Sequence, residues 1–436
     1  MQLQESRKSD HHVGHHNAGM PLLPENNRIS SEGRIPTSFF AAAIAVMVSF
    51  SFVPTGCEFD PSGIGAKTDY PDAWVTDASY FDSTFDSTVD AQHPDADTSC
   101  TNGTFECLSN GHARICRNGT WFDLGHCPMG CIESAEHCRV PSNVPADIMA
   151  DDSAHGIMEE SAGDSPIHIN TDNGEIRNAG GIIRSANQFG TDSDSGIAYT
   201  HLSQSNTSVG LGVFVLAELI IGENVEVVVT GSRALVLLVN GEVSIKGVFD
   251  LTGSELHAGP GGFNGGNAGE KGFGPCSGFP GQGVAYSDWG CSSGGGGGGH
   301  MGNGGNGGHN TAVCPTEHHF LGGNGGDATC STPELIPLIG GSGGAGGSFM
   351  EGNSQTVPGG GGGGGGAIQI SSSLLIHFTG SGSINTGGGG GGETNNGGGS
   401  GGGSGGAILL EAPDVYLDNG VILAANGGGG GGGDCS

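Results

Sequence analysis

"RALVLLVNGEVSIKGVFDLTG", Arg233 to Gly253, carries three short apolar runs punctuated by turn residues. It opens on an apolar pair, continues through Val243 and Ile245, and closes with Val248 and Leu251. Runs of this length, rich in Val and Ile, suit strands buried on at least one face. The same form returns in "GAIQISSSLLIHFTGSGSINTG" (Gly366 to Gly387) and in "GAILLEAPDVYLDNGVILAANG" (Gly406 to Gly427). Leu374, Ile376 and Ile384 fill its second and third runs in one, Val415, Leu417, Val421 and Leu423 in the other. These two copies begin 40 residues apart, each after a glycine run. A unit too small to bury its own apolar face must stack on its neighbours. The expectation is a mainly β chain whose body is β-solenoid-like or a set of stacked sheets.

Upstream, "GLGVFVLAELIIGENVEVVVTG" continues the apolar character, its runs ending at Gly222 and Gly231. From about Ser165 two or three strand-like pieces surround Asp172-Asn173-Gly174 and Ala179-Gly180-Gly181. The reading therefore divides the chain into a leader (1–56), an acidic tether (57–99), a six-cysteine module (100–140) and a linker (141–164). A strand-rich segment (165–253) and a glycine-rich β body (254–436) follow.

Glycine supplies 91 of 436 residues against 19 prolines, and the collagen triplet with proline is absent. In "GGGHMGNGGNGGHN" (Gly297 to Asn310) the side chains His300, Asn303, Asn306 and His309 fall three apart. Asn324 and Asp327 repeat that spacing, as do Ser342, Ala345 and Ser348. Three is the period of an extended left-handed helix, neither the 2 of a strand nor the 3.6 of an α-helix. Two readings stand: packed polyglycine II helices with those side chains on one face, or flexible excursions. A lone helix of this kind would not persist, because glycine costs about 0.5–1 kcal/mol per residue in backbone entropy.

The net charge of −32 repels a phosphate backbone, and no Lys/Arg stripe offsets it, which excludes nucleic acid as a partner. Ten carboxylates lie between Glu58 and Asp97 against Lys67 alone, the composition of an extended, self-repelling tether. Before it, Phe39 to Val53 form an apolar run preceded by Arg28 and Arg34. Fifteen residues at about 1.5 Å each fall short of the roughly 30 Å hydrocarbon core, so the run reads as a signal-peptide core. "PTGC" then places Thr55 and Gly56 before Cys57 in the manner of a bacterial lipobox, with Pro54 where leucine is usual. Cys57 is the lipidation candidate, and Met20 is an alternative start that would discard "HHVGHH" at His11 to His16.

Cys100, Cys107, Cys116, Cys127, Cys131 and Cys138 crowd into one short module. An exported segment of that size needs staples, so disulfides are expected over a zinc site built with His126 and His137. The sequence does not choose among the connectivities. Farther on, Cys276 with Cys291 and Cys314 with Cys330 would each close a local loop, leaving Cys435 over.

Motifs that resemble chemistry are products of glycine runs. "GGSGG" at Gly340 to Gly344, and the runs around Ser400 and Ser404, satisfy G-x-S-x-G without a strand-to-helix elbow. "GGNGGD" at Gly322 to Asp327 matches one copy of a calcium-binding nonapeptide, the basis of an alternative calcium-stabilised binding protein. A carbohydrate-active β-solenoid enzyme is the other alternative. A lyase would need a strong base, yet after Lys246 the only Lys or Arg is Lys271. A glycosidase needs carboxylates about 5–9.5 Å apart. Asp414 and Asp418 on one strand face would sit at about 13 Å, and Asp250 has no evident companion. The sequence points to no catalytic residue, no cofactor and no metal site.

The lipobox-like Cys57, the acidic tether, the C-x6-C-x8-C-x10-C-x3-C-x6-C module and the apolar phrases above together resemble glycine-rich surface lipoproteins of Gram-negative bacteria. The resemblance spans about residues 40–436. It implies export and a lipid anchor at the outer membrane or cell surface. It carries no activity. The expectation is a non-enzymatic, structural or adhesive protein that meets the membrane through its anchor and an envelope or extracellular polymer or protein through its body.

Overall fold

The computed structural model describes residues 100–433, apart from 109–111, 128, 133–136, 146–147, 149–153, 287–288, 310–320, 349–358 and 395–396. The leader, the tether and Cys57 lie outside the described residues, as do Cys314 and Cys435. The chain is mainly β, and its repeats share one plan. Ala234–Val239, Val243–Ile245 and Val248–Asp250 each enter a different sheet. Ala367–Ser372, Leu375–Phe378 and Ser383–Asn385 lie parallel beside them, and Ala407–Glu411, Asp414–Leu417 and Ile422–Ala424 beside those. A further copy, Gly210–Leu216, Glu218–Ile221 and Glu226–Thr230, precedes them in the same order and register.

Stacking in register lines up like residues. Phe214, Leu237, Ile370 and Leu410 are successive rungs of one inward column. With Phe249, Phe378, Ile245, Ile376 and Ile384 they belong to the main core. Each fully buried side chain of this size stabilises by about 1.5–3 kcal/mol, which is what holds small units together. At the N-terminal end the third sheet turns antiparallel through Ile176–Asn178 and Gly181–Arg184. Arg184, fully buried, donates Nη1 to the carbonyl of Gly174 at 2.7 Å and Nε to that of Ile197 at 3.1 Å. Burial lowers its pKa, and five carbonyl acceptors satisfy the guanidinium.

Every residue of Ala234–Val239 and of Ala367–Ser372 is buried, so the first sheet is covered on its outer face as well. Met129, Val144, Leu335, Leu338 and Ile339 supply that cover. Val144, Ile148 and Ala154, in the segment 141–164 read from the sequence as a linker, help to build it. Ser142 donates its hydroxyl to Glu411 at 2.6 Å, and Gln369 returns a bond to the Ser142 carbonyl at 2.7 Å. Ile157–Glu160 then pairs with Glu218–Ile221 as the edge of the second sheet. The segment is short and polar, so nothing in its periodicity signalled either role.

Glycine-rich chain leaves the repeats at one corner, after Leu251, Asn385 and Ala424. The ladder of the third sheet simply runs on: Leu251 donates to Asn385, Gly253 to Gly387, and Gly388 to Asn426, each at 2.8 Å. Beyond it, successive residues of one tract bond to three different neighbours. Gly294 and Gly297 donate to Gly308 and Gly305, Gly295 and Gly298 to Gly399 and Gly402, Gly296 and Gly299 to Phe279 and Cys276, all at 2.7–2.9 Å. Gly341 and Gly344 likewise donate to Gly365 and Gly362 at 2.8 and 2.9 Å. This three-residue period with a separate partner for each face is the side-by-side packing of polyglycine II helices. Among the described residues, the interior backbone groups of these tracts are paired with those of neighbouring tracts.

The triplet-spaced tract read as one stretch through His300 turns out to be two. The tract ending at His300 folds back at Met301-Gly302, so 303–309 runs antiparallel to 294–299. His300 is buried while Asn303, Asn306 and His309 are exposed. The expected single face of four side chains is therefore split by a turn, because pairing two tracts satisfies more backbone than extending one.

The N-terminal module is held by Cys100–Cys116, Cys107–Cys131 and Cys127–Cys138. It forms a three-stranded antiparallel sheet, Phe105–Cys107, His112–Arg117 and Thr120–His126.

Close approach in the bundle gives a direct test. A methyl group on Gly364 would overlap the carbonyl oxygen of Gly341, whereas one on Gly305 would meet no atom within 4 Å. Gly364→Ala is expected to cost about 3 kcal/mol or more in chemical unfolding. Gly305→Ala should stay within about 1 kcal/mol, on the stabilising side. Equal effects would contradict the packed bundle.

Candidate functional site

The sequence-derived candidates are taken up by architecture. Ser404 accepts the Ser342 amide at 2.8 Å and donates to Gly299 at 3.1 Å. Ser400 accepts from Gly347 at 3.0 Å and donates to Gly359 at 2.8 Å. These hydroxyls stand in for backbone groups between tracts, and none sits on an elbow. Asp418 meets His377 Nε2 at 3.4 Å, Asp414 is an exposed residue opposite Leu375, and Asp250 accepts the Thr252 amide at 3.0 Å. The structure brings no two of the three together. Asn324 and Asp327 of the nonapeptide match point outward, and among the described residues no three His, Cys, Asp or Glu side chains gather as a metal site.

The later cysteines pair differently from the local expectation. Cys276 joins Cys330 across 54 residues, not Cys291, and Cys330 is thereby unavailable to Cys314. Cys291 lies in the strand Trp289–Ser292. Tract packing sets this pairing: Gly299 donates to Cys276, and Cys330 donates to His300, so one tract holds both cysteines close.

Beside this disulfide His300 is buried, and among the described residues neither its Nε2 nor the buried Ser277 Oγ has a hydrogen-bond partner. Burial pushes the His300 pKa down to about 4.

A separate feature, absent from the sequence reading, is an open groove of about 540 Å³. It lies where the hairpin joining Ala198–Ser203 to Gly210–Leu216 meets the entry of the glycine bundle at Gly262 and Phe263. Gln204 fixes that hairpin loop, donating to Leu338 at 2.8 Å and accepting from the Leu338 amide at 2.8 Å. Ser232 and Arg233 form the floor, and both bind Asp172: the Ser232 hydroxyl at 2.7 Å and Arg233 Nη1 at 2.8 Å. His201, Ser203 and Ser208 line the wall. Phe189 packs edge-on against His201 with ring centroids 5.0 Å apart and is itself 62% exposed. The volume falls within the roughly 300–1,000 Å³ of small-molecule sites. The chemistry on offer is hydrogen bonding and ring contact; no acid–base pair faces the space. No motif or spacing in the sequence marks Arg233 or these serines as a site.

Comparisons with protein-family models, with curated proteins and with solved structures found no match.

The buried histidine gives a pH dependence with a definite sign. Its folded pKa of about 4 lies below the ordinary 6.5, so between those values the unfolded chain binds more protons. Stability is fully present above pH 6.5 and falls as pH drops toward 4, by up to about 3 kcal/mol. Unfolding of wild type and His300→Gln at pH 7 and 4.5 should show the larger acid loss in wild type. Parallel losses would remove His300 as the cause.

Proposed function

We propose that this chain is a non-enzymatic, surface-tethered lipoprotein, anchored through Cys57 at the outer membrane or cell surface, whose glycine-rich β body is structural or adhesive. The observation that carries this reading is where the polar side chains go. The body's hydroxyls at Ser342, Ser400 and Ser404, and the Glu411 carboxylate, are consumed in tying tracts and strands together. Asn303, Asn306, His309, Asn324 and Asp327 instead project from two adjoining tracts, cross-linked where Gly325 donates to Asn306 and Gly322 to His309. Such an arrangement presents a polar surface on a hydrogen-bonded framework. The acidic sequence between Glu58 and Asp97 suits a spacer that self-repulsion extends. The partner is an envelope or extracellular polymer or protein.

Intact mass after membrane extraction, combined with protease treatment of whole cells, tests the proposal. A diacylglyceryl group on Cys57 and release of a protected fragment beginning near residue 100 are expected. An unmodified Cys57, or a body untouched by protease until cells are lysed, would overturn it.

A further inference from the structure

We propose that the groove between the 204–209 loop and Phe263 is a binding site for a neutral saccharide. This rests on the adhesive reading of the body and names the ligand class of one site on it.

Three observations lead there. The floor is an ion pair already balanced within the protein, because Asp172 accepts from Arg233 Nη1 at 2.8 Å and from the Ser232 hydroxyl at 2.7 Å. Among the described residues only Nη1 of Arg233 is hydrogen-bonded, so its remaining N–H groups are donors for a ligand oxygen. The hydroxyls of Ser203 and Ser208 have no hydrogen-bond partner among the described residues, and both serines are exposed in the groove. A floor and wall of uncommitted donors and hydroxyls matches vicinal diols, which both give and accept hydrogen bonds.

Aromatic rings lie at and next to this polar space. Phe263 lines it, and Phe189 packs edge-on against the lining residue His201. Phe273, 56% exposed, follows Phe263 in space, its amide donating to Asn264 at 2.9 Å. Exposed rings beside hydroxyl-binding groups suit a ligand with apolar C–H faces and polar edges, and a pyranose has both.

Charge selects the neutral class. The chain carries −32 overall, and Arg233, among the described residues the one Lys or Arg lining the groove, is neutralised by Asp172. A polyuronate or a phosphorylated polymer would approach against the field of the whole protein. The loop is also pre-formed, since Gln204 ties it to Leu338, so binding does not have to order it.

Calorimetric titration of the purified full chain with maltohexaose, mannohexaose, chitohexaose and oligogalacturonate tests the site. At least one neutral oligosaccharide should bind saturably, with an affinity that 0.5 M salt, or about three times physiological ionic strength, leaves within a factor of about two. Oligogalacturonate should not bind. Arg233→Gln is expected to weaken binding about tenfold, and Phe189→Ala about fivefold. Ser208→Tyr fills the groove from an exposed loop position without touching the ion pair, and should abolish binding at unchanged melting temperature. The proposal is overturned if no neutral oligosaccharide binds, if the acidic one binds instead in a salt-sensitive way, or if Ser208→Tyr binds like wild type. Glycan binding by a protein that cells do not expose would sink the anchored reading and leave the groove standing. Surface exposure without glycan binding would do the reverse.

Discussion

Everything in the body depends on backbones approaching one another closely enough to exchange N–H···O=C bonds on three sides at once. That approach leaves no room for a Cβ. At Gly326 it would run into the Cys276 carbonyl, and at Gly406 into that of Gly366. Glycine's entropy, about 0.5–1 kcal/mol per residue against alanine, is the cost. Satisfied backbone groups, which would be expensive to bury unpaired, are the return. The stacked repeats supply the template, because the third sheet's ladder passes directly into Gly253, Gly387 and Asn426 at the start of the tracts. A tract leaving a strand thus begins in register with its neighbour.

The same arrangement decides what side chains remain for function. Where an interior tract position has room for a small side chain it holds alanine or serine, and the buried Ser342 and Ser348 become internal ties to Cys276 and Ser293. Triplets on outer tracts carry asparagine, histidine and aspartate to the surface. The groove between the 204–209 loop and Phe263 lies where the bundle abuts the repeats.

Much of this was legible in the residues. The mainly β class followed from the Val/Ile runs, and the disulfide-rich N-terminal region from cysteine density. Three repeat copies were visible because Gly366 and Gly406 start alike. The copy beginning at Gly210 was masked by its denser apolar character and by the tight Gly231 turn, where φ is +115°, in place of a glycine tract. The three-residue spacing disclosed the tracts but not their fold-back at His300, which depends on pairing between segments. Pairing of Cys276 with Cys330 was hidden for the same reason: loop-closure arguments favour near neighbours, and the bundle overrides them. Arg184 carried no signal at all, because a buried guanidinium is recognised by the carbonyls around it, not by its sequence neighbours.

Amide hydrogen exchange across the glycine tracts tests the central claim most directly. Hydrogen-bonded tracts predict slow exchange for the amides of 294–299, 341–347 and 361–366, comparable with that of the strand 234–239, and fast exchange at Gly305 and Gly308, which face outward. Exchange throughout 294–366 at the rate of an unstructured glycine peptide, with only the strands protected, would contradict it.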